Sequence, residues 1–236
     1  DVTDSSGVGL PGALNESIAW GDYDNDGDQD LYLTNDGPNN LFRNDGGGMF
    51  TDVTAEAGVG HAGFSVGTAF GDLDNDGYLD LYVVTFGGNN RDVLYQGNGP
   101  VGPGGAYTFT DVAETAGLDE FASTRGMALI DYDADGLLDI YVDAQGPDIL
   151  YHNLGNMQFT NVAGALGVAT EGIGVGVVAS DLDNNGWIDI FTGNRSFDPN
   201  RLYLNTGGTF TDITATGGID RVGLGMGVLS FDYDND

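Results

Sequence analysis

The nine residues Asp22-Tyr23-Asp24-Asn25-Asp26-Gly27-Asp28-Gln29-Asp30 read D-x-D-x-D-G-x-x-D. Carboxylates at loop positions 1, 3 and 5 can converge on one point if the backbone curls around it. Gly at position 6 permits the sharp turn, because a residue without Cβ reaches positive φ at little cost. A backbone carbonyl at position 7 and a carboxylate at position 9 complete an all-oxygen cage. That cage suits a hard cation with about 6–8 oxygen ligands, which is Ca2+, whereas Mg2+ demands an octahedral shell and keeps its waters. With no Cys and only two His in the chain, Zn2+ and copper are poor candidates.

The pattern recurs. Asp72 to Asp80 is DLDNDGYLD, Asp131 to Asp139 is DYDADGLLD and Asp181 to Asp189 is DLDNNGWID, while a fifth copy begins at Asp232 and runs to Asp236. Asp, Asn and Gly also form ordinary turns on solvated faces. Turn chemistry alone, however, does not need Asp at positions 1, 3 and 9 of every complete copy. An EF-hand is excluded, since position 12 is Leu33, Val83, Val142 and Thr192 rather than Glu. The flanks are strand-like, Ile18-Ala19-Trp20 before the first loop and Leu31-Tyr32-Leu33 after it, so each loop is the turn of a hairpin.

The elements that position the loops follow from an internal repeat. A T-D-V-T-like phrase recurs at Asp1, Asp52, Asp111, Asn161 and Asp212, at separations of 51, 59, 50 and 51 residues. Each unit reads as four strands. The first is small and apolar, as in Gly63 to Phe70, with Gly at alternate positions that imply close backbone approach. The metal loop follows, then a second strand such as Leu81-Tyr82-Val83-Val84, a third such as Arg201-Leu202-Tyr203-Leu204-Asn205 and a fourth such as Thr209-Phe210-Thr211. Gly97 to Gly105 reads as a Gly/Pro loop insertion in the longer second unit. Four short strands in a repeat of roughly 40–50 residues are the signature of a β-propeller blade.

The composition sets the outer bounds. A chain of 236 residues is long enough for a sizeable core, and its 11% aromatic share argues for folding rather than acidic disorder. The formal net charge is −31, and about half of the 37 acids sit in the five loops. That charge makes nucleic acid and anionic membrane surfaces implausible partners. No apolar run of 18 residues exists, so membrane insertion is not expected. Short Asp side chains around each ion suit the roughly millimolar calcium available outside cells, which points to a secreted, cell-surface or periplasmic protein.

The motif D-x-D-x-D-G-x-x-D-[LI]-[YF], preceded by a Gly-rich apolar strand and followed by N-x-L-[YF]-x-N and F-T-D-V-T, resembles the FG-GAP/VCBS repeat. The stretch from Ala19 to Tyr32 is most similar to the repeats of the ASPIC/UnbV and cartilage acidic protein group. The resemblance implies an all-β propeller, commonly of seven blades, with Ca2+ in some of the hairpin loops. It places one propeller segment over 1–236, with blades at about 14–54, 64–113, 122–163 and 173–214 and part of a fifth at 222–236. A fragment of a larger propeller is expected. Loop by loop, the ligands carry over as the side chains of Asp22, Asp24, Asp26 and Asp30 with the Asp28 carbonyl, then Asp72, Asp74, Asp76 and Asp80 with the Tyr78 carbonyl. The third set is Asp131, Asp133, Asp135 and Asp139 with the Leu137 carbonyl. The fourth is Asp181, Asp183, Asn185 and Asp189 with the Trp187 carbonyl, where Asn185 removes one charge and predicts weaker binding. Asp232, Asp234 and Asp236 are half of a fifth site, so about four Ca2+ are expected here.

Catalysis finds little footing. His61 and His152 have no motif around them, His152 reads as a packed or surface residue, and the metal loops account for the paired carboxylates. The aromatic side chains of Tyr78 and Trp187 at loop position 7 either pack over the loop or stack on a sugar or partner. Asn15-Glu16-Ser17 and Asn194-Arg195-Ser196 match the N-glycosylation pattern. The expectation is a non-enzymatic, calcium-binding module for adhesion or recognition of an extracellular protein or glycan. Two alternatives stay open, an accessory propeller of a carbohydrate-active enzyme and a structural repeat of an extracellular assembly. The oligomeric state is not fixed by the sequence.

Overall fold

A computed structural model of the chain describes residues 6–9, 14–87, 91–102, 105–118, 120, 122–195, 198–219 and 228. Among the described residues, sixteen strands form four antiparallel meanders of four strands each. These are the blades of an all-β propeller fold. The chain forms two compact units, Asp1–Phe121 with Gly155–Gln158, and Ala122–Leu154 with Phe159–Asp236. The fifth loop, Asp232, Asp234 and Asp236, lies outside the described residues.

Unit 1 holds two blades. The first is β1 (Asn15–Gly21), β2 (Asp30–Asn35), β3 (Asn40–Asn44) and β4 (Phe50–Asp52), and the second is β5 (Ser65–Gly71), β6 (Asp80–Thr85), β7 (Val93–Val101) and β8 (Ala106–Asp111). Unit 2 holds β9 (Ser123–Ile130), β10 (Asp139–Pro147), β11 (Ile149–Asn153) and β12 (Phe159–Asn161), then β13 (Glu171–Ser180), β14 (Asp189–Asn194), β15 (Arg201–Asn205) and β16 (Phe210–Asp212). Pairing of Gln145, Gly146 and Pro147 with Ile173, Gly172 and Glu171 joins its two meanders into one eight-stranded sheet.

The second strands are buried on both faces, as their unbroken apolar runs require. Tyr32, Tyr82 and Tyr141 are fully buried there. Each spends its hydroxyl on a fixed acceptor: the Val59 carbonyl at 2.8 Å, Asp92 Oδ2 at 2.8 Å and Asp148 Oδ2 at 3.0 Å. A buried phenol needs such a partner. The Gly-rich first strands do allow close approach. A Cβ on Gly126 of β9 would stand 2.7 Å from the Gly176 Cα of β13, within unit 2.

The repeated D-V-T phrase has a local cause. Asp52 Oδ1 accepts the Thr54 N–H at 3.0 Å, and Asp111, Asn161 and Asp212 do the same for the residue two positions on. The residue between them continues the ladder, as where Val53 N–H meets the Leu41 carbonyl at 2.9 Å. In two copies the chain then makes a single helical turn, α1 (Thr54–Ala57) and α2 (Ala163–Leu166), each closed by a left-handed Gly, Gly58 or Gly167.

One expectation is corrected. Gly97 to Val101 is strand rather than loop, since β7 continues to Val101 and pairs Pro100 with Tyr107 and Val101 with Ala106. A register shift between Gly97 and Pro100 absorbs the proline, which cannot donate to a regular ladder. The insertion therefore lengthens a hairpin.

Unit 2 also buries a carboxylate pair. Asp148 receives the Ala144 N–H, the Tyr141 hydroxyl and the Thr170 hydroxyl at 3.1, 3.0 and 3.1 Å. Asp143 is fully buried and receives the Gly176 N–H, at 3.2 Å on Oδ2, while its Oδ1 has no hydrogen-bond partner. Burial first, and the neighbouring Asp148 charge second, push Asp143 above the ordinary carboxylate value of 3.8. Asp143 therefore carries the proton and donates a hydrogen bond to Asp148, whose charge has the larger set of donors. The folded state holds this proton more tightly than the unfolded chain, so its stabilising effect is lost as pH rises above 3.8. Asp143→Asn keeps the shape and supplies a permanent donor. In saturating calcium, urea unfolding at about pH 9 should find this variant more stable than the parent by on the order of 1 kcal/mol. At about pH 5 the gap should close.

Candidate metal centres

Each loop closes a hairpin at the same register, with its position-9 carboxylate at the root. Asp30 pairs with Gly21, Asp80 with Gly71, Asp139 with Ile130 and Asp189 with Ser180. All four of these Asp side chains are buried, at 0–1% exposure. Asp30 accepts the Tyr23 N–H at 3.1 Å on Oδ2 and the Asn44 N–H at 2.8 Å on Oδ1. The other three repeat the arrangement with Leu73 and Gly97, Tyr132 and Asn153, and Leu182 and Asn205. One carboxylate thus ties the start of the loop to the end of the third strand.

The loop interior is built as regularly. The position-1 carboxylate takes the N–H of position 5 on one oxygen and that of the position-6 Gly on the other, as Asp22 does with Asp26 and Gly27 at 3.0 Å each. Asp72, Asp131 and Asp181 do likewise. The position-5 side chains Asp26, Asp76, Asp135 and Asn185 accept the N–H of position 7, which belongs to Asp28, Tyr78, Leu137 and Trp187. Gly27, Gly77, Gly136 and Gly186 have φ of 96°, 89°, 88° and 91°. Position 4 is left-handed too, with φ of 56° to 59° at Asn25, Asn75, Ala134 and Asn184. Asn tolerates that region; Ala does not.

Ligand-capable oxygens converge within 4.8 Å for Asp22, Asp24 and Asp30, for Asp72, Asp74 and Asp80, and for Asp181, Asp183 and Asp189. The third loop differs. There Asp131, Asp133 and Asp135 form one trio, and Asp133 joins Asp139 and His152 in a second. His152 Nδ1 lies 3.2 Å from Asp139 Oδ1 and 3.7 Å from Asp133 Oδ2. Among the described residues, position-5 carboxylates enter a trio only in this third loop. The residue opposite loop position 3, on the third strand, had no motif to flag it. It shows only when Arg43, Gln96, His152 and Leu204 are aligned by their partners Thr51, Thr110, Thr160 and Thr211.

The electrostatics ask for a cation. Burial, reinforced by the neighbouring loop carboxylates, pushes Asp30 and Asp80 up to about 7, against the pull of their two N–H donors. Burial raises Asp139 as well. Asp24 Oδ1 and Asp133 Oδ1 are buried with no hydrogen-bond partner. Unpartnered buried oxygens at position 3, in an all-oxygen donor set, fit a hard divalent ion such as Ca2+.

Position 7 gives two different surroundings. The half-buried Tyr78 ring packs edge-on against Tyr107, with centroids 6.2 Å apart, and Tyr107 meets Tyr23 at 6.2 Å. Tyr23, Tyr107, Asp24, Arg43 and Glu56 help to line a cavity of about 180 Å³ beside the first loop, in unit 1. Trp187 is half-buried over Gly207.

The sequence model for the FG-GAP-like repeat matches residues 22–83, 131–192 and 181–236. The chain belongs to the FG-GAP-like repeat family. Among its relatives are the cartilage acidic protein 1 of Mus musculus, of Homo sapiens and of Xenopus tropicalis, each 33% identical over 138 residues. The match covers 56% of this chain and 21% of each relative, so the chain spans about a fifth of the length of these curated proteins. Among solved structures, an Agrocybe aegerita lectin described as recognising non-reducing terminal N-acetylglucosamine aligns with a TM-score of 0.46 at 18% identity, over 84% of this chain and 50% of that one. No described helix is long and apolar enough to cross a membrane.

The FG-GAP-like loops make their own backbone test. Ala134→Asn replaces the one residue that strains the left-handed position 4, and should stabilise the chain by about 0.5–1 kcal/mol in calcium. Asn184→Ala should lose a similar amount. Thermal unfolding of the two variants against the parent measures both.

Proposed function

We propose that the chain is a non-enzymatic, calcium-binding propeller module of an extracellular protein, and that it presents a rigid surface for recognition of a glycan or protein. The observation that carries this is the fully buried position-9 carboxylate, repeated at one register in all four loops beside two or more further acids. Such a group is costly to bury without a counter-charge. Asp22, Asp24, Asp26 and Asp30 and their counterparts would hold Ca2+, whose charge would offset their mutual repulsion and fix the hairpin ends. An extracellular setting is supported by loops suited to roughly millimolar calcium and by relatives whose name places them in cartilage.

Calcium would add about 1–3 kcal/mol per filled site at concentrations of about 10–100 times its dissociation constant. Chelation should therefore lower the melting temperature in a step that restoring calcium, but not sodium chloride of equal ionic strength, reverses. Equal melting in calcium and in chelator would remove the metal role.

The recognition surface would be the cavity of unit 1, which combines the edge-on rings of Tyr23 and Tyr107 with Arg43 and Glu56 beside a candidate metal loop. Rings of this kind stack on the apolar faces of sugars, while the charged groups set orientation. A glycan-array screen in millimolar calcium and in chelator should show binding only with calcium, and Tyr107→Ala should abolish it. Binding that persists in Tyr107→Ala would move the site to Trp187. A blank array in both conditions would favour a protein partner.

A further inference from the structure

We propose that the third loop carries a second kind of metal site, in which Asp133, Asp139 and His152 bind a borderline divalent cation of the zinc class. The third-strand residue opposite loop position 3 differs in every blade. Arg43 places its Nε 2.9 Å from Asp45 Oδ1, Gln96 Nε2 donates to Asp74 Oδ2 at 2.7 Å, and Leu204 brings no polar atom. Only His152 offers a metal-binding nitrogen at this register. Nδ1 stands 3.2 Å and 3.7 Å from one oxygen of each carboxylate. Ligand atoms around a tetrahedral ion with bonds of about 2.0–2.2 Å stand about 3.3–3.6 Å apart, so the two separations from His152 nearly match such an ion, and all three ligand atoms lie within 4.8 Å of one another.

Two further observations concern the same carboxylates. Asp133 Oδ1 is buried without a hydrogen-bond partner, and Asp139 is fully buried at the hairpin root. The His152 ring is also held, by an edge contact with Tyr132 at a centroid distance of 5.7 Å. A mixed nitrogen and carboxylate set favours borderline metals over calcium, which takes oxygen alone. Asp133 belongs both to this trio and to the Asp131–Asp133–Asp135 trio, so zinc and calcium compete for it. Nothing in this site requires calcium to fill the other loops.

The test is a calorimetric titration of the chain with Zn2+, in calcium-free buffer and in millimolar calcium. The parent should bind one zinc that calcium weakens. His152→Gln should bind that zinc roughly tenfold or more weakly, with the number of calcium ions bound unchanged. Gln96→His should create a second zinc site at the second loop. The chain has only two histidines, so 15N-labelled histidine gives a readout on the parent alone. Zinc should shift the ring nitrogens of His152 and leave those of His61 in place. Unaltered zinc affinity in His152→Gln, no zinc bound by the parent, or an unmoved His152 signal would each overturn the proposal and leave His152 as a hydrogen-bond donor to Asp139. Chelation melting with calcium is read separately, so loss of the calcium role and loss of the zinc site are distinguishable.

Discussion

A carboxylate buried at the root of a hairpin is the constraint on which each blade depends. Asp30, Asp80, Asp139 and Asp189 each accept one N–H from the start of their loop and one from the third strand. That geometry fixes where the loop begins, where the second strand starts and how the third strand lies against it. Two N–H donors do not balance a charge taken out of water, and burial accordingly pushes Asp30 and Asp80 up to about 7. The same group that pins three segments together is therefore the one that makes a cation favourable. One side chain per blade thus holds the hairpin together and lines each candidate metal loop.

Much of this is legible in the chain because the requirements are local. Asp at position 1 and Gly at position 6 are demanded by bonds that span at most a few residues, such as the Asp22 carboxylate to the Asp26 and Gly27 N–H groups, while the position-9 Asp shows through its repetition. The strands announce themselves by apolar runs buried on both faces. The D-V-T phrase is visible as a repeat, but its meaning, a side-chain acceptor turning the chain after the fourth strand, emerges only from the bond between Asp52 and Thr54. Longer-range facts escape. Gly97-Asn98-Gly99-Pro100 has the composition of a loop, yet cross-strand pairing with Tyr107 overrides local propensity. The left-handed φ of Ala134 is masked because three of the four loops carry Asn there, which hides the strain in the fourth.

His152 shows most clearly where a linear reading stops. It is the variable residue of the recurring L-[YF]-x-N stretch, just before Asn153, whose N–H is fixed to Asp139. Its role depends on a register, since the pairing of the third strand with the fourth sets which side chain faces the loop. Once the four blades are superposed by that pairing, a position that looked variable becomes a position that faces a metal loop.

This register separates what the repeats must share from what they are free to change. The position-9 carboxylate and its two N–H bonds cannot vary without loosening the blade. The residue opposite position 3 carries no such burden, and it runs through a cation at Arg43, an amide at Gln96, an imidazole at His152 and an alkyl chain at Leu204. The Arg43 guanidinium pairs with Asp45 at 2.9 Å. An amide occupies one oxygen of Asp74, an imidazole adds a donor and Leu204 leaves the fourth loop as it is. With Asn185 also removing a charge from the fourth loop, four hairpins of one geometry become four loops of different electrostatic strength. Identical scaffolding makes the blades repeat, and one side chain beside each loop keeps the sites from being equivalent.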